Sequence, residues 1–154
     1  MLAMSLLVVG APPAATAAEL PKAQDLAADA RQVRGARMPI VLFFAAEDCT
    51  YCHIVEDDYL RPMFNSGRYR DTVLFRTVLI DDARELTDFQ GNPVAPDVFA
   101  KRYGVSLTPQ VKFLDANGEE LVPGLIGLMT RDFYAGYLED AISAAVAKLR
   151  PARK

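Results

Sequence analysis

The stretch IVLFFAAEDCTYC, residues 40–52, decides the fold. Its first five residues, Ile40, Val41, Leu42, Phe43 and Phe44, are apolar without alternation, as expected of a short strand covered on both faces. Beyond Cys52 the apolar residues Ile54, Val55, Tyr59 and Leu60 recur at helical spacing. A buried strand therefore feeds a helix, and Cys49 and Cys52 stand at the junction.

Working outward, Leu20, Ala23, Leu26, Ala27, Ala30 and Val33 fit an amphipathic helix over residues 19–34, ended by Gly35. On the other side, Pro62 is expected to break or kink the helix, with a second short helical piece after it. Residues 73–80, VLFRTVLI, read as the second strong strand. Gly91, Asn92, Pro93 and Pro96 mark residues 87–96 as a loop. A short helix over residues 97–103 follows, stopped by Gly104. Residues 110–114 form a third strand, Asp115-Ala116-Asn117-Gly118 a hairpin turn, and residues 119–126 the returning strand. Pro123 inside that strand points to a sheet edge. Thr130 is placed to cap a final helix reaching about residue 149, with Phe133, Tyr134, Tyr137, Leu138, Ala141 and Ala145 as its inner stripe. A right-handed crossover joins the first two strands in parallel and the hairpin adds antiparallel partners. The expected fold class is α/β, a mixed sheet of about four strands with helices on both faces.

A chain of 154 residues is long enough to bury one core without several disulfides or a structural metal. The net charge of −3 gives no electrostatic footprint for nucleic acid. The chain holds 2 cysteines and 1 histidine, His53, which directly follows the second cysteine. Cysteines so close in sequence cannot staple a fold, so a purely structural bridge explains them poorly. At a helix N-terminus, backbone amides and the helix dipole stabilise a thiolate, which makes Cys49 the nucleophile. Cys52, one turn on, can attack the mixed disulfide that Cys49 forms and release the product.

These residues resemble the thioredoxin superfamily over almost all of residues 19–149. The IVLFFAAEDCTYC block carries the resemblance, together with Leu107-Thr108-Pro109 before a strand and Gly127 after the last strand. The chain looks most like small periplasmic SoxW-type thioredoxin-like proteins. Tyr51 and Thr108 are also similar to their counterparts in periplasmic disulfide isomerases, whose separate dimerisation domain has no room here. The resemblance implies a three-layer thioredoxin-like fold with a cis-proline at Pro109 facing Cys49 and Cys52. It also implies that Thr108 offers backbone groups to an extended substrate peptide. Thioredoxin itself carries a buried acid on the strand before its first cysteine and a tryptophan immediately before that cysteine. Here those places hold Phe43 and Asp48, so the usual proton acceptor for the second cysteine is absent. Glu47 is the nearest replacement, against the plainer reading of a solvated loop carboxylate. His53 is expected as an exposed helix residue that modulates the charge near Cys52. The acidic residues that crowd the motif, Glu47, Asp48, Glu56, Asp57 and Asp58, read as a solvated charged helix face rather than a specific ligand set.

Residues 1–18, MLAMSLLVVGAPPAATAA, carry no charge. A short apolar run and the small residues Ala15, Ala17 and Ala18 read as a secretory leader, with residues 19–154 as one domain. No Lys or Arg precedes the apolar run, so a retained anchor or a bland Ala-rich tail are the alternatives. Export places the protein in the periplasm, an oxidising compartment where a redox pair has substrates. The expected activity is therefore thiol–disulfide exchange, in the direction of reducing exported proteins, with oxidase or isomerase as alternatives. The expected partners are protein thiols and disulfides and a membrane electron donor; a monomer without cofactor or metal is expected. Two other classes compete. Cys49-Thr50-Tyr51-Cys52-His53 also matches the C-x-x-C-H haem attachment pattern. A c-type cytochrome would want a mostly helical chain and a distal ligand such as Met63 or Met129, whereas strand-like runs flank this motif and Thr108-Pro109 has no role in it. A metallochaperone would use the two thiols and His53 as ligands, without a closed fourth position.

Overall fold

The computed structural model describes residues 17–150; apart from Ala17 and Ala18, the expected leader lies outside them. The elements are α1 (Leu26–Ala36), β1 (Ile40–Ala45), α2 (Thr50–Val55), α3 (Arg61–Asn65), β2 (Leu74–Leu79), β3 (Leu86–Thr87), β4 (Pro93–Val94), α4 (Pro96–Arg102), β5 (Gln110–Leu114), β6 (Glu120–Ile126) and α5 (Arg131–Leu149). Four strands form a mixed sheet in the order β2-β1-β5-β6. β1 runs parallel to β2 and antiparallel to β5, and β6 is antiparallel to β5. This is the thioredoxin-like α/β architecture, with helices on both faces.

The central strand explains why. All six residues of β1 are buried. Val41 and Phe43 point into one core, where Tyr134, Leu138 and Ile142 of α5 meet Val55 and Leu60. Ile40, Leu42 and Phe44 point into the other, against Leu26 and Val33 of α1 and Phe99 of α4. Each such side chain contributes roughly 1.5–3 kcal/mol by leaving water, so the apolar run is held at the centre of the sheet by both layers. Pro123 lies in β6, an outer strand where a missing N–H costs no ladder bond.

Several local expectations are corrected. The first helix starts at Leu26, not residue 19, because Pro21 biases Leu20 toward extended backbone and Asp25 caps the helix by accepting from the Ala28 N–H at 2.8 Å. The residues before it run along β2 instead. The Thr77 N–H donates to the Pro21 carbonyl at 2.9 Å, and the Ala23 N–H to the Thr77 carbonyl at 2.8 Å. Gly35 does not end the helix; the left-handed Arg37 does, at φ 52°. Pro62 does not break the second helix. A π-helical turn, Glu56–Leu60, links α2 to α3, and Pro62 stands in the first turn of α3, where a residue without an N–H is tolerated. The expected loop over residues 87–96 contains the β3–β4 hairpin, held by Asp88, whose carboxylate accepts from the Gln90 and Asn92 N–H groups at 3.0 and 2.9 Å and from Arg102 at 2.8 Å. Thr130 sits at the N-cap of α5 without a side-chain cap bond. The buried stripe of that helix is Tyr134, Leu138, Ile142 and Ala145, so it is narrower than expected and takes in Ile142, while Phe133 and Tyr137 are exposed.

Candidate active site

β1 ends at Ala45, a short polar turn follows, and the chain enters α2 at Cys49. The Cys49 Sγ accepts from the Cys52 N–H at 3.2 Å, so the sulfur itself caps the helix. The Cys49 carbonyl accepts from the Cys52 and His53 N–H groups at 3.0 and 3.1 Å. A sulfur in this place faces the amide ends of a helix, where negative charge is favoured. Cys49 is half-buried, whereas Cys52 is only 2% exposed. The two are joined in a disulfide.

The antiparallel register of β1 and β5 pairs Phe44 with Gln110. Residues just before β5 are therefore delivered to the end of β1 from which the cysteine turn departs. Thr108 Oγ1 donates to Cys49 Sγ at 3.5 Å. The Thr108–Pro109 peptide bond is cis, and Pro109 is buried. Its carbonyl accepts from the Gly127 N–H at 2.8 Å, which ties the end of β6 to the same place. Gly127 has φ +70°, a conformation that glycine adopts without strain. Three large apolar side chains around this junction face solvent: Tyr51 between the cysteines, Leu107 before Thr108, and Ile126 before Gly127.

Beneath the pair, on the side of β2, lies a cavity of about 280 Å³. Cys52 lines it, together with Glu47, His53, Glu56, Arg61 and Thr77. Glu47 and His53 are exposed. The Glu47 N–H donates to the Asp81 carboxylate at 2.9 Å, and His53 Nε2 lies 3.0 Å from the Glu47 carbonyl oxygen. Phe43, at the place of the thioredoxin acid, is buried in the core. Glu56 does not belong with the solvated acids: its side chain is 21% exposed, against 51% for Asp57. Sequence reasoning grouped these acids together, although Glu56 stands four residues after Cys52, the spacing that puts two side chains on one helical face. Thr77 had no sequence signal, because only the β1–β2 register brings it here. Met63 packs against the core and Met129 is exposed. Among the described residues no group of three or more His, Cys, Asp or Glu is placed to hold a metal ion.

The sequence pattern of the thioredoxin-like domain family matches residues 26–142, and the chain belongs to that family. With a disulfide-bonded C-x-x-C pair at the head of α2, it is a thiol–disulfide oxidoreductase. Similar folds include a DsbH oxidoreductase (21% identity, TM-score 0.59, covering 92% of this chain and 94% of that one). They also include a poplar thioredoxin h mutant (16% identity, TM-score 0.58, covering 87% and 90%). A third is the oxidised mitochondrial thioredoxin 3 of Saccharomyces cerevisiae (21% identity, TM-score 0.53, covering 80% and 93%). At these identities the likeness is one of fold. No curated protein matches the sequence significantly.

Proposed function

We propose that the protein reduces disulfides of exported proteins in the periplasm, with Cys49 as nucleophile and Cys52 as resolving thiol. The observation that carries this reading is the unequal placement of the two sulfurs: Cys49 is half-buried at the head of α2, and Cys52 is buried below it. In the reduced protein the Cys49 thiolate attacks a client disulfide, forming a mixed disulfide and releasing one client thiolate. Cys52 then attacks the Cys49 sulfur, closing the internal disulfide and releasing the second client thiol. The client is reduced by two electrons and the pair is oxidised by two, so a membrane dithiol donor is needed to restore it. The client lies extended along Thr108 and Pro109, with Tyr51, Leu107 and Ile126 as its apolar contacts. The protein acts as a monomer and needs no cofactor. The direction is argued from charge. Neither Thr50 nor Tyr51 is cationic and Asp48 precedes Cys49, so the thiolate lacks the strong stabilisation that drives a disulfide oxidase.

Single-cysteine variants test the assignment. Cys52→Ser should capture clients as stable mixed disulfides on Cys49, visible on non-reducing gels of periplasmic extracts. Cys49→Ser should lose both capture and turnover in insulin reduction. Equal residual activity of the two variants contradicts the division of labour. Rapid oxidation of reduced peptides, with little insulin reduction, would instead favour the oxidase direction.

A further inference from the structure

Resolution by Cys52 requires its proton to leave a site from which water is largely shut out, and the strand acid that serves thioredoxin is replaced by Phe43. The cavity beneath Cys52 supplies another route. Its lining includes two polar groups left without a partner: the Thr77 hydroxyl, on a residue 5% exposed, and the Nε of Arg61. Buried polar atoms without partners are uncommon, and lining one half-open cavity they call for water. The cavity's 280 Å³ is ample for several molecules at about 30 Å³ each. Glu56 lines the same space from the turn after Cys52, and its N–H donates to the Cys52 carbonyl. The Arg61 guanidinium holds the Glu56 carboxylate at 3.3 Å and Asp57 at 2.8 Å. Asp57 therefore keeps the guanidinium paired when Glu56 takes up a proton.

We propose that Glu56 is the proton acceptor for Cys52, reached through water held by Thr77 and Arg61 in the cavity beneath the redox pair. The proposal rests on the thiol–disulfide reading above and names a further residue for it. In the resolving step the Cys52 thiol gives its proton through water to the Glu56 carboxylate. The Cys52 thiolate then attacks Cys49 Sγ; the Cys49–Cys52 bond forms, the Cys49–client bond breaks, and the electron pair departs on the client thiolate. That thiolate is protonated from solvent, and Glu56 returns its proton to Cys52 when a donor dithiol reopens the disulfide. The charged groups facing this space are Glu19 and Lys22 from the segment before α1, Glu47 from the turn after β1, His53 from α2, and Arg61 from α3; β2 contributes the uncharged Thr77. Lys22 is engaged by Asp82 at 3.4 Å, and Glu47 and His53 are exposed. Glu56 combines the acceptor chemistry with a shielded position one turn from the sulfur.

Glu56→Gln tests this with little change of shape, since the amide oxygen can still accept from Arg61. Two readouts are combined. In Cys49→Ser protein, thiolate absorbance at 240 nm follows Cys52 alone and needs no client. Removing a neighbouring carboxylate relieves like-charge repulsion, so Glu56→Gln should move the ionisation of Cys52 to lower pH. In the intact pair, rapid mixing of reduced protein with a disulfide peptide follows resolution directly. There Glu56→Gln should slow the resolving step roughly a hundredfold near neutral pH, the lower end of general-base effects. The deficit should close above about pH 9, where hydroxide removes the thiol proton unaided. A merely structural role would not move the two readouts in opposite senses. The proposal is overturned if Cys52 ionises unchanged, if the rate falls equally at every pH, or if Glu47→Gln gives this signature and Glu56→Gln does not. Should the unaltered protein fail to reduce peptides at all, the functional reading fails, and the thiolate titration still decides the role of Glu56.

Discussion

Cys49 Sγ receives two donors, the Cys52 N–H at 3.2 Å and the Thr108 hydroxyl at 3.5 Å. Both strengthen when the disulfide opens and the sulfur becomes a thiolate, because hydrogen bonds to a charged acceptor are roughly twice as strong as neutral ones. Thr108→Val keeps the side chain's shape and removes its donor. It should therefore raise the pH at which Cys49 ionises by about one unit, equivalent to about 1.4 kcal/mol. The pH dependence of iodoacetamide alkylation in Cys52→Ser protein measures this, and an unchanged midpoint would show that the hydroxyl does not serve the thiolate. At this scale the cysteines were legible because their chemistry depends on where a helix begins, which the apolar pattern around them reveals. Thr77 and Glu56 were not. The place of Thr77 beneath Cys52 follows from strand register, and Glu56 differs from Asp57 and Asp58 only in the direction it faces.

The elements were easiest to read where a long apolar pattern left one interpretation. β1, β2, β5 and the β5–β6 hairpin come directly from such runs, and the Asp115–Gly118 turn closes the hairpin with Gly118 at φ +85°. Errors arose where polar chain satisfies its backbone against a neighbour. Residues 21–23 pair with Thr77 of β2, and Gln24 and Asp25 with Thr87 of β3, rather than extend α1. The β3–β4 hairpin is likewise built on one side chain. Asp88 is 2% exposed, and hydrogen bonds from the Asn92 backbone, aided by Arg102, hold its carboxyl below the usual range against the cost of burial. A carboxyl whose folded pKa is depressed stabilises the protein above its unfolded pKa and ceases to do so as pH falls through the folded value. Asp88→Asn should thus cost about 1–3 kcal/mol at neutral pH. The gap from the unaltered protein should shrink as pH drops below about 4, the ordinary carboxylate value. Urea denaturation at a series of pH values checks both the size and the sign; a gap that widens on acidification contradicts the assignment.

On the scale of the whole molecule, two apolar layers clamp a four-stranded sheet whose central strand ends at the redox pair. Three separated pieces of chain, at residues 49–52, 107–109 and 126–127, are brought together there by sheet topology alone. Sequence gave the pieces, and their convergence depended on the order β2-β1-β5-β6, which the alternation of helices and strands already constrained. Among the described residues no helix is long and apolar enough to cross a membrane. The central claim is that this junction is a reversible dithiol–disulfide couple on the reducing side. The helix terminus favours the Cys49 thiolate, while Asp48 opposes it and neither residue between the cysteines is cationic. On the proposed reading, the resulting modest stabilisation should place the potential in the reducing part of the family's range, roughly −200 to −270 mV. Equilibrium titration of the pair against glutathione redox buffers, read by alkylation and mass spectrometry, tests this most directly. A single two-electron transition within that interval is the result expected; a potential near about −120 mV, the value of a strong oxidase, or a pair that never equilibrates with glutathione, would contradict it.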